Sequence, residues 1–475
     1  MNINPLIFRA YDIRGIAEVN EKNPVADLTP ETVELIGLAA GTYLQRKYNT
    51  KNMVIGRDNR LHSELLQTAF IQGIRKTGIQ VTNMGLATSP LLYFAVCHFG
   101  FESGVNITAS HNPKEYNGIK IVRENGASVA DQELQEILKL IQNQDFTLAA
   151  ELTPLEEKND IFEEYLKFTT QNTKLERPLK IVVDCGNGVA GMFAPKLLRA
   201  IGCDVTEIYC DLDGNFPNHE ANPEEAHNMI DLGKKVLETK ANLGIGFDGD
   251  GDRVGVVDEN AQHYPAEYLI MLLARDFLKS HPGEKVIFDV KVSNNLINDI
   301  TKNGGLAMMS KTGHSFIEEK IRHENASLAG ENSGHIFFGK KHYNSYGYDD
   351  GMFAACKVLE VLSKTPLQFS EHFIDLPKLY STPELKIPCP DERKFIVVKE
   401  ITEFFQTKFP SITLDGIRVN FDETSWGAVR CSNTTPNLTM RFESASQEKL
   451  AEIQEIMFSE LRKFPEVQLP SSIAH

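Results

Sequence analysis

Short apolar runs alternate with helix-length amphipathic stretches along most of the chain. NMVIGRDNR (52–60) is a β-rich run that ends in polar loop residues, and ELLQTAFIQGIRKTG follows it with helical spacing. The plan returns at LKIVVDCGNG (179–188) before MFAPKLLRAIG, and at KVIFDVKVS (285–293) before NNLINDITKNGG. Buried strands alternating with amphipathic helices predict βαβ units with mostly parallel sheets, here in three consecutive segments. The repetition is one of architecture, not of sequence. The last hundred or so residues are patterned differently. SWGAVRCS and LTMRFES flank NTTPN, which predicts two antiparallel strands joined by a loop, and QEKLAEIQEIMFSELRKF predicts a helix after them. Strands followed by a helix in this way predict an α+β unit. The tail PEVQLPSSIAH is expected to be loosely held.

A chain of 475 residues is too long for one core, and it divides where the patterning lapses. ELTPLEEKND, DENAQHY and KTPLQFSEHFIDL are the three polar links, giving units 1–153, 154–260, 261–368 and 369–475. Charge then narrows the partners. The net charge of −16 argues against a nucleic-acid or anionic-membrane partner, so any phosphate-binding cations must be clustered locally. No stretch approaches the roughly 20 apolar residues that span a bilayer. The opening residues carry Arg9, Asp12 and Arg14 and do not read as a signal peptide. Seven cysteines without a CxxC pair point to a reducing, cytoplasmic setting.

The candidate chemistry lies in the polar loops. In GFDGDGDR (246–253), Asp248, Asp250 and Asp252 are separated by single residues, both of them glycines. Glycine lets the backbone turn tightly enough for carboxylates two apart to converge rather than alternate. Such a cluster repels itself unless a cation sits in it, and hard oxygen ligands suit Mg²⁺ or Ca²⁺. An EF-hand loop begun at Asp248 would need Gly where Arg253 stands, and the flanks read as strands. GIGFDG matches GxGxxG in letters, but no helix pattern follows. Arg253 beside the carboxylates suits an anionic ligand.

ITASHNPKEYNGIK (107–120) reads as a loop at a strand end. Pro113 biases Asn112 away from the helical region, and Asn117-Gly118 signals a turn. Ser110 is either a nucleophile or a hydroxyl that satisfies the turn. A serine that carries a phosphoryl group would need a metal and a nearby cation such as Lys120. Four more stretches read as ligand loops. FRAYDIRG (8–15) offers Arg9, Tyr11 and Arg14. KTGHSF (311–316) sets Lys311 and His314 around Gly313 at a helix start suited to anions. GENSGH (330–335) sets Glu331 and Ser333 between glycines, suited to sugar hydroxyls, and RCSNTTP (430–436) offers Arg430, Ser432, Asn433 and Thr434 to a phosphate.

TASHNP, DGDGDR, GENSGH and RCSNTTP in this order resemble the α-D-phosphohexomutases, and FRAYDIRG resembles the phosphomannomutase/phosphoglucomutase branch, over residues 8–462. The resemblance implies an α/β architecture: three mixed α/β sheet domains and a C-terminal α+β lid around a central cleft. It implies that phosphate moves between O1 and O6 of a mannose or glucose phosphate through a 1,6-bisphosphate. Ser110 would be the phosphoserine, and Mg²⁺ would be held by Asp248, Asp250, Asp252 and a phosphoserine oxygen. Tyr11, Arg14, His111, Lys120, Arg253, Lys291, Gly313 and His314 would fall in the active site, with Glu331 and Ser333 on the sugar. Arg430, Ser432, Asn433 and Thr434 would grip the phosphate that is not reacting. Glucose 1,6-bisphosphate or mannose 1,6-bisphosphate would be the activator, and a monomer is expected. His111, Lys120 and His314 are the candidate bases. Asn332 stands where the dual-specificity branch often has Met, which leaves phosphoglucosamine mutase as the alternative enzyme. A sugar-phosphate binding protein without catalysis is the non-enzymatic one.

Overall fold

The computed structural model describes residues 3–432 and 435–469. Its first sheet runs, from one edge, through Ile13–Ile16, Tyr116–Arg123, Ser103–Ile107, Asn52–Arg57, Gln80–Leu86 and Leu155–Glu157. Asn52–Arg57 pairs in parallel with both Gln80–Leu86 and Ser103–Ile107, as the βαβ pattern predicts. The second sheet repeats this core, with Lys180–Asp184 parallel to Asp204–Ile208 and Leu243–Phe247. In the third, Lys285–Asp289 is parallel to Leu306–Ser310 and Leu328–Gly330. The fourth sheet is antiparallel throughout, with Trp426–Cys431 against Asn437–Ser444 at its centre and the helix Gln447–Leu461 behind.

One structural rule positions the chemistry. In each of the first three sheets, a strand that runs parallel to the central strand turns back into an antiparallel neighbour. Ser103–Ile107 returns as Tyr116–Arg123, Leu243–Phe247 as Val254–Val257, and Leu328–Gly330 as Ile336–Phe338. The connections are the loops that carry Ser110, the three aspartates, and Glu331 with Ser333. In the fourth sheet the turn between Trp426–Cys431 and Asn437–Ser444 carries Ser432. These strand ends are polar because they face the central cleft, while the strands behind them are buried and apolar.

The fourth unit has its own core, built on Val397, Val419, Val429, Phe442 and Met457. Another core is continuous across the first three units: Leu92 and Phe94 of the helix Ser89–Phe99 pack in the same cluster as Phe247 and Met352. Two details differ from the sequence expectations. Strand pairing continues past the links, through Leu155–Glu157 in the first sheet and His263–Tyr264 in the second. The tail is also anchored further than expected, because Val467 enters the fourth core and the Gln468 N–H donates to the Pro388 carbonyl at 3.0 Å.

Candidate active site

A cleft of about 620 Å³ opens where the loops meet. Tyr11, Arg14, Ser110, His111 and Lys120 line it from the first unit, and Arg253 from the second. Lys291, Gly313, His314, Glu331 and Ser333 line it from the third, with Arg430 and Ser432 from the fourth. Asp248, Asp250 and Asp252 lie buried behind this surface, each at most 1 % exposed. Asn433 and Thr434 lie outside the described residues.

Ser110 is held in a left-handed conformation, φ 51°, which is uncommon for a residue with a side chain. Its Oγ donates to Asp248 Oδ2 at 2.7 Å and lies 3.1 Å from His111 Nδ1. Being adjacent in sequence does not keep His111 from facing Ser110. The aspartate loop comes this close only because position 249 is glycine, where a Cβ would meet the Ser110 carbonyl oxygen at 2.3 Å. Lys120 reaches between two of the carboxylates, donating to Asp250 Oδ2 at 2.7 Å and Asp252 Oδ2 at 2.5 Å.

The three carboxylates each offer an oxygen within 4.8 Å of the others. Burial and the charges of Asp252 and Asp250 push the Asp248 carboxyl well up. Burial also works against ionising Asp252, but Lys120, with His335 and Arg253, outweighs it and holds that group low. Among the described residues, Asp250 Oδ1 and Asp252 Oδ1 are buried without a hydrogen-bond partner. Unpaired oxygens in a buried acidic cluster fit a hard divalent cation.

Beside this centre, Arg253 donates through Nε to His335 Nε2 at 2.9 Å and lies 3.5 Å from Glu224. His335 Nδ1 lies 2.7 Å from Asp349 Oδ2. Among the described residues, neither His335 Nδ1 nor Asp349 Oδ2 makes a hydrogen bond. His111 is driven well down by burial, Arg253 and Arg14, so it is a neutral imidazole. Burial would lower His314 as well, but Glu318 and Asp349 outweigh it and hold it up at about 9.

The remaining residues are mutually braced. Tyr11 Oη donates to the Thr312 carbonyl at 2.8 Å, and it packs so close to residue 313 that a Cβ there would lie 2.2 Å away. Gly313, at φ 130°, is thereby required. Its N–H donates to Glu331 Oε1 at 2.5 Å, so this helix start, read from the sequence as an anion site, is occupied by a carboxylate. Arg14 donates to Asn112 Oδ1 at 2.9 Å and to the Ala109 carbonyl at 3.3 Å, steadying the Ser110 loop. Lys291 pairs with Glu384, and Arg430 Nε donates to Asp415 at 2.7 Å. Among the described residues, Arg430 Nη2 has no hydrogen-bond partner. Lys311 is exposed, with its Nζ over the Phe316 ring at 5.4 Å.

Sequence reasoning missed Ser89, His335 and Asp349. Ser89 Oγ donates to Asp250 Oδ2 at 2.6 Å, although its letters, Thr-Ser-Pro, announce only a helix start. His335 closes the GENSGH stretch and was legible there. Asp349 gave no signal apart from its position beside Asp350, the residue that caps Gly351–Ser363.

Three α/β units and an α+β unit that bring a serine, three aspartates and a set of cations to one cleft define a phosphohexomutase architecture. Family models described as phosphoglucomutase/phosphomannomutase match the chain in four pieces. These are alpha/beta/alpha domains I, II and III over residues 5–148, 163–262 and 265–380, and the C-terminal domain over 384–460. A phosphomannomutase/phosphoglucomutase from Pseudomonas putida is 42 % identical over 98 % of this chain and 97 % of its own. A phosphoglucomutase from Neisseria meningitidis is 41 % identical over 95 % of this chain and 96 % of its own. A solved phosphoglucomutase/phosphomannomutase family protein from Burkholderia thailandensis superposes with a TM-score of 0.89 at 35 % identity, covering 99 % of this chain and 100 % of its own. The chain belongs to the phosphoglucomutase/phosphomannomutase family and is an enzyme, an isomerase that transfers phosphate within its substrate.

Proposed function

We propose that this enzyme moves a phosphoryl group between O1 and O6 of mannose and glucose phosphates, with Ser110 as the carrier. The observation that carries the reading is the Ser110 hydroxyl, 2.7 Å from Asp248 Oδ2 at the edge of the buried carboxylate cluster. In the first half-reaction, phospho-Ser110 gives its phosphoryl group to the free sugar hydroxyl. The Ser110 Oγ–P bond breaks, a sugar O–P bond forms, and the hydroxyl proton passes to a base. The resulting 1,6-bisphosphate turns over in the cleft, and Ser110 takes the other phosphate by the reverse step. The same bisphosphate, supplied from outside, would rephosphorylate an enzyme that had lost its phosphate.

Asp248, Asp250 and Asp252 would hold Mg²⁺, together with an oxygen of phospho-Ser110. When bound, the ion neutralises charge on the phosphoryl oxygens. Lys120, kept cationic by two carboxylates, and Arg253 face the reacting phosphate. His314 is held protonated and suits donation. Of the three candidate bases, His111 is held as a neutral imidazole 3.1 Å from Ser110 Oγ and is proposed to take the hydroxyl proton, while His335, whose Nε2 accepts from Arg253, braces that guanidinium. Glu331 and Ser333 would read the sugar hydroxyls. Arg430, whose Nη2 has no hydrogen-bond partner among the described residues, and Ser432 would clamp the distal phosphate, assisted by Lys291, Asn433 and Thr434. Closure of the fourth unit would keep water from phospho-Ser110.

No described helix is long and apolar enough to cross a membrane. A cytoplasmic monomer is the proposed state, and the unit limits are proposed to lie a few residues beyond 153 and 260, after Leu155–Glu157 and His263–Tyr264. The test is an assay with Mg²⁺ and a trace of glucose 1,6-bisphosphate, comparing mannose 1-phosphate and glucose 1-phosphate, with Ser110→Ala alongside. Formation of 6-phosphate from both, reduced at least about 10³-fold in the variant, is expected. Activity on glucosamine 1-phosphate alone would overturn the substrate assignment.

A further inference from the structure

Arg60 lies in the loop between the strand Asn52–Arg57 and the helix Ser63–Arg75, and its side chain is 1 % exposed. A guanidinium has five N–H donors, and here all are engaged. Nε donates to Asp58 Oδ2 at 3.1 Å. Nη1 donates to the carbonyls of Pro113 at 2.7 Å and Tyr116 at 3.1 Å. Nη2 donates to the carbonyls of Ser110 at 2.8 Å and Asn112 at 2.7 Å. Four of the five hydrogen bonds therefore go to the backbone of one loop, residues 110–116. The Ser110 carbonyl is buried and takes its hydrogen bond from this side chain; the other three are part-buried, and that of Pro113 also accepts from the Tyr116 N–H at 3.1 Å.

The arrangement is anchored on both sides. Asp58, which balances the charge, accepts from the Arg60 N–H at 3.0 Å and from Ser63 Oγ at 2.5 Å. The Phe216 ring, from the second unit, covers the guanidinium at 5.1 Å. The loop it holds is the one in which Ser110 adopts φ 51°. A strained conformation persists only where its surroundings over-determine it. The Ser110 carbonyl itself accepts from Arg60, so the guanidinium acts on the strained residue directly.

We propose that Arg60 is a positioning residue for phosphoryl transfer: it fixes the Ser110 loop in the conformation that aims Oγ at Asp248. The inference rests on Ser110 being the phosphoryl carrier. Arg60 does not line the 620 Å³ cleft. Its loss misplaces the nucleophile while leaving the sugar and phosphate clamps intact, so kcat falls and KM does not. A mispositioned phosphoserine is also less shielded, so it loses phosphate to water faster. Lysine does not substitute, because a single ammonium with three donors cannot span four carbonyls and a carboxylate.

The test compares full-length wild type, Arg60→Lys, Phe216→Leu and Ser110→Ala. For Arg60→Lys the expected result is a kcat lower by about 10- to 100-fold, the effect of a displacement of about 1 Å at a reacting group. KM for glucose 1-phosphate stays within about twofold, and phosphoenzyme isolated after treatment with glucose 1,6-bisphosphate dephosphorylates faster. Phe216→Leu, at a partly exposed ring, gives a smaller fall of the same kind and decides the matter if Arg60→Lys does not fold. An unchanged kcat in whichever of these variants folds overturns the inference, as does a loss of activity that only follows a lowered Tm. Retention of activity in Ser110→Ala overturns the carrier reading and the inference with it, whereas its loss beside a fully active Arg60→Lys overturns the inference alone.

Discussion

Replacing Arg441 by methionine tests how the fourth unit is fastened to the sugar-binding loops. From the strand Asn437–Ser444, Arg441 donates to both oxygens of Glu267, at 3.0 and 3.2 Å. It also donates to the Lys291 carbonyl at 2.6 Å and to Asn332 Oδ1 at 2.9 Å. The two charged side chains are 4 % and 3 % exposed. Arg441→Met leaves the Glu267 carboxylate buried with, among the described residues, only the Ser293 N–H, at 2.7 Å, as a partner. Breaking a buried ion pair from one side costs about 3–5 kcal/mol. Adding Glu267→Gln removes the stranded charge and should recover about half of that cost, because the pair itself contributes less than its separation costs. Urea unfolding followed by Trp426 emission is the assay. This sole tryptophan is fully buried, lies 3.7 Å from the Arg418 guanidinium and donates to Glu443 at 2.9 Å. Asn332 lies between Glu331 and Ser333, so KM should rise in parallel. A loss below about 1 kcal/mol in the single variant, or strict additivity in the double one, would refute the reasoning.

His314 gives a pH dependence. Its folded value of about 9 lies above the ordinary 6.5, so the stability it contributes is complete below about 6.5 and is lost as pH rises through 9. At 1.36 kcal/mol per unit the loss is about 3 kcal/mol, and urea midpoints across that range should show it in wild type but not in His314→Gln. Lys120→Met leaves Asp250 and Asp252 without their shared cation, and kcat should fall by at least about 10²-fold, measured at saturating Mg²⁺. Chelation of divalent cations should stop turnover and lower Tm, with both restored by Mg²⁺, whereas an Asp248→Ala/Asp250→Ala variant should be inactive with a Tm that chelation does not move.

The three parallel cores were legible because each β run is apolar and each is followed by a helix of helical period. The motifs were legible for a related reason: polar residues crowded at a strand end, such as Thr108–Asn112 after Ile107, have no structural use in a buried sheet. What the sequence did not reveal are contacts between distant segments. Arg441 lies inside a strand that reads as ordinary β pattern, and nothing local shows that both faces of Asn437–Ser444 are covered. Arg60 drew no attention beyond the polar end of NMVIGRDNR, because its partners are backbone carbonyls about fifty residues away, which no letter encodes. Asp349 was hidden in the same way, beside a capping aspartate.

The most direct test of the account is where the phosphoryl group goes. Enzyme incubated with Mg²⁺ and radiolabelled glucose 1,6-bisphosphate, then digested and mapped by mass spectrometry, should carry one phosphoryl group on the peptide containing Ser110. A chase with unlabelled glucose 1-phosphate should move that label into sugar phosphate at a rate at least equal to kcat. Label on another residue, or full mutase turnover with no phosphoenzyme that exchanges at that rate, would contradict it.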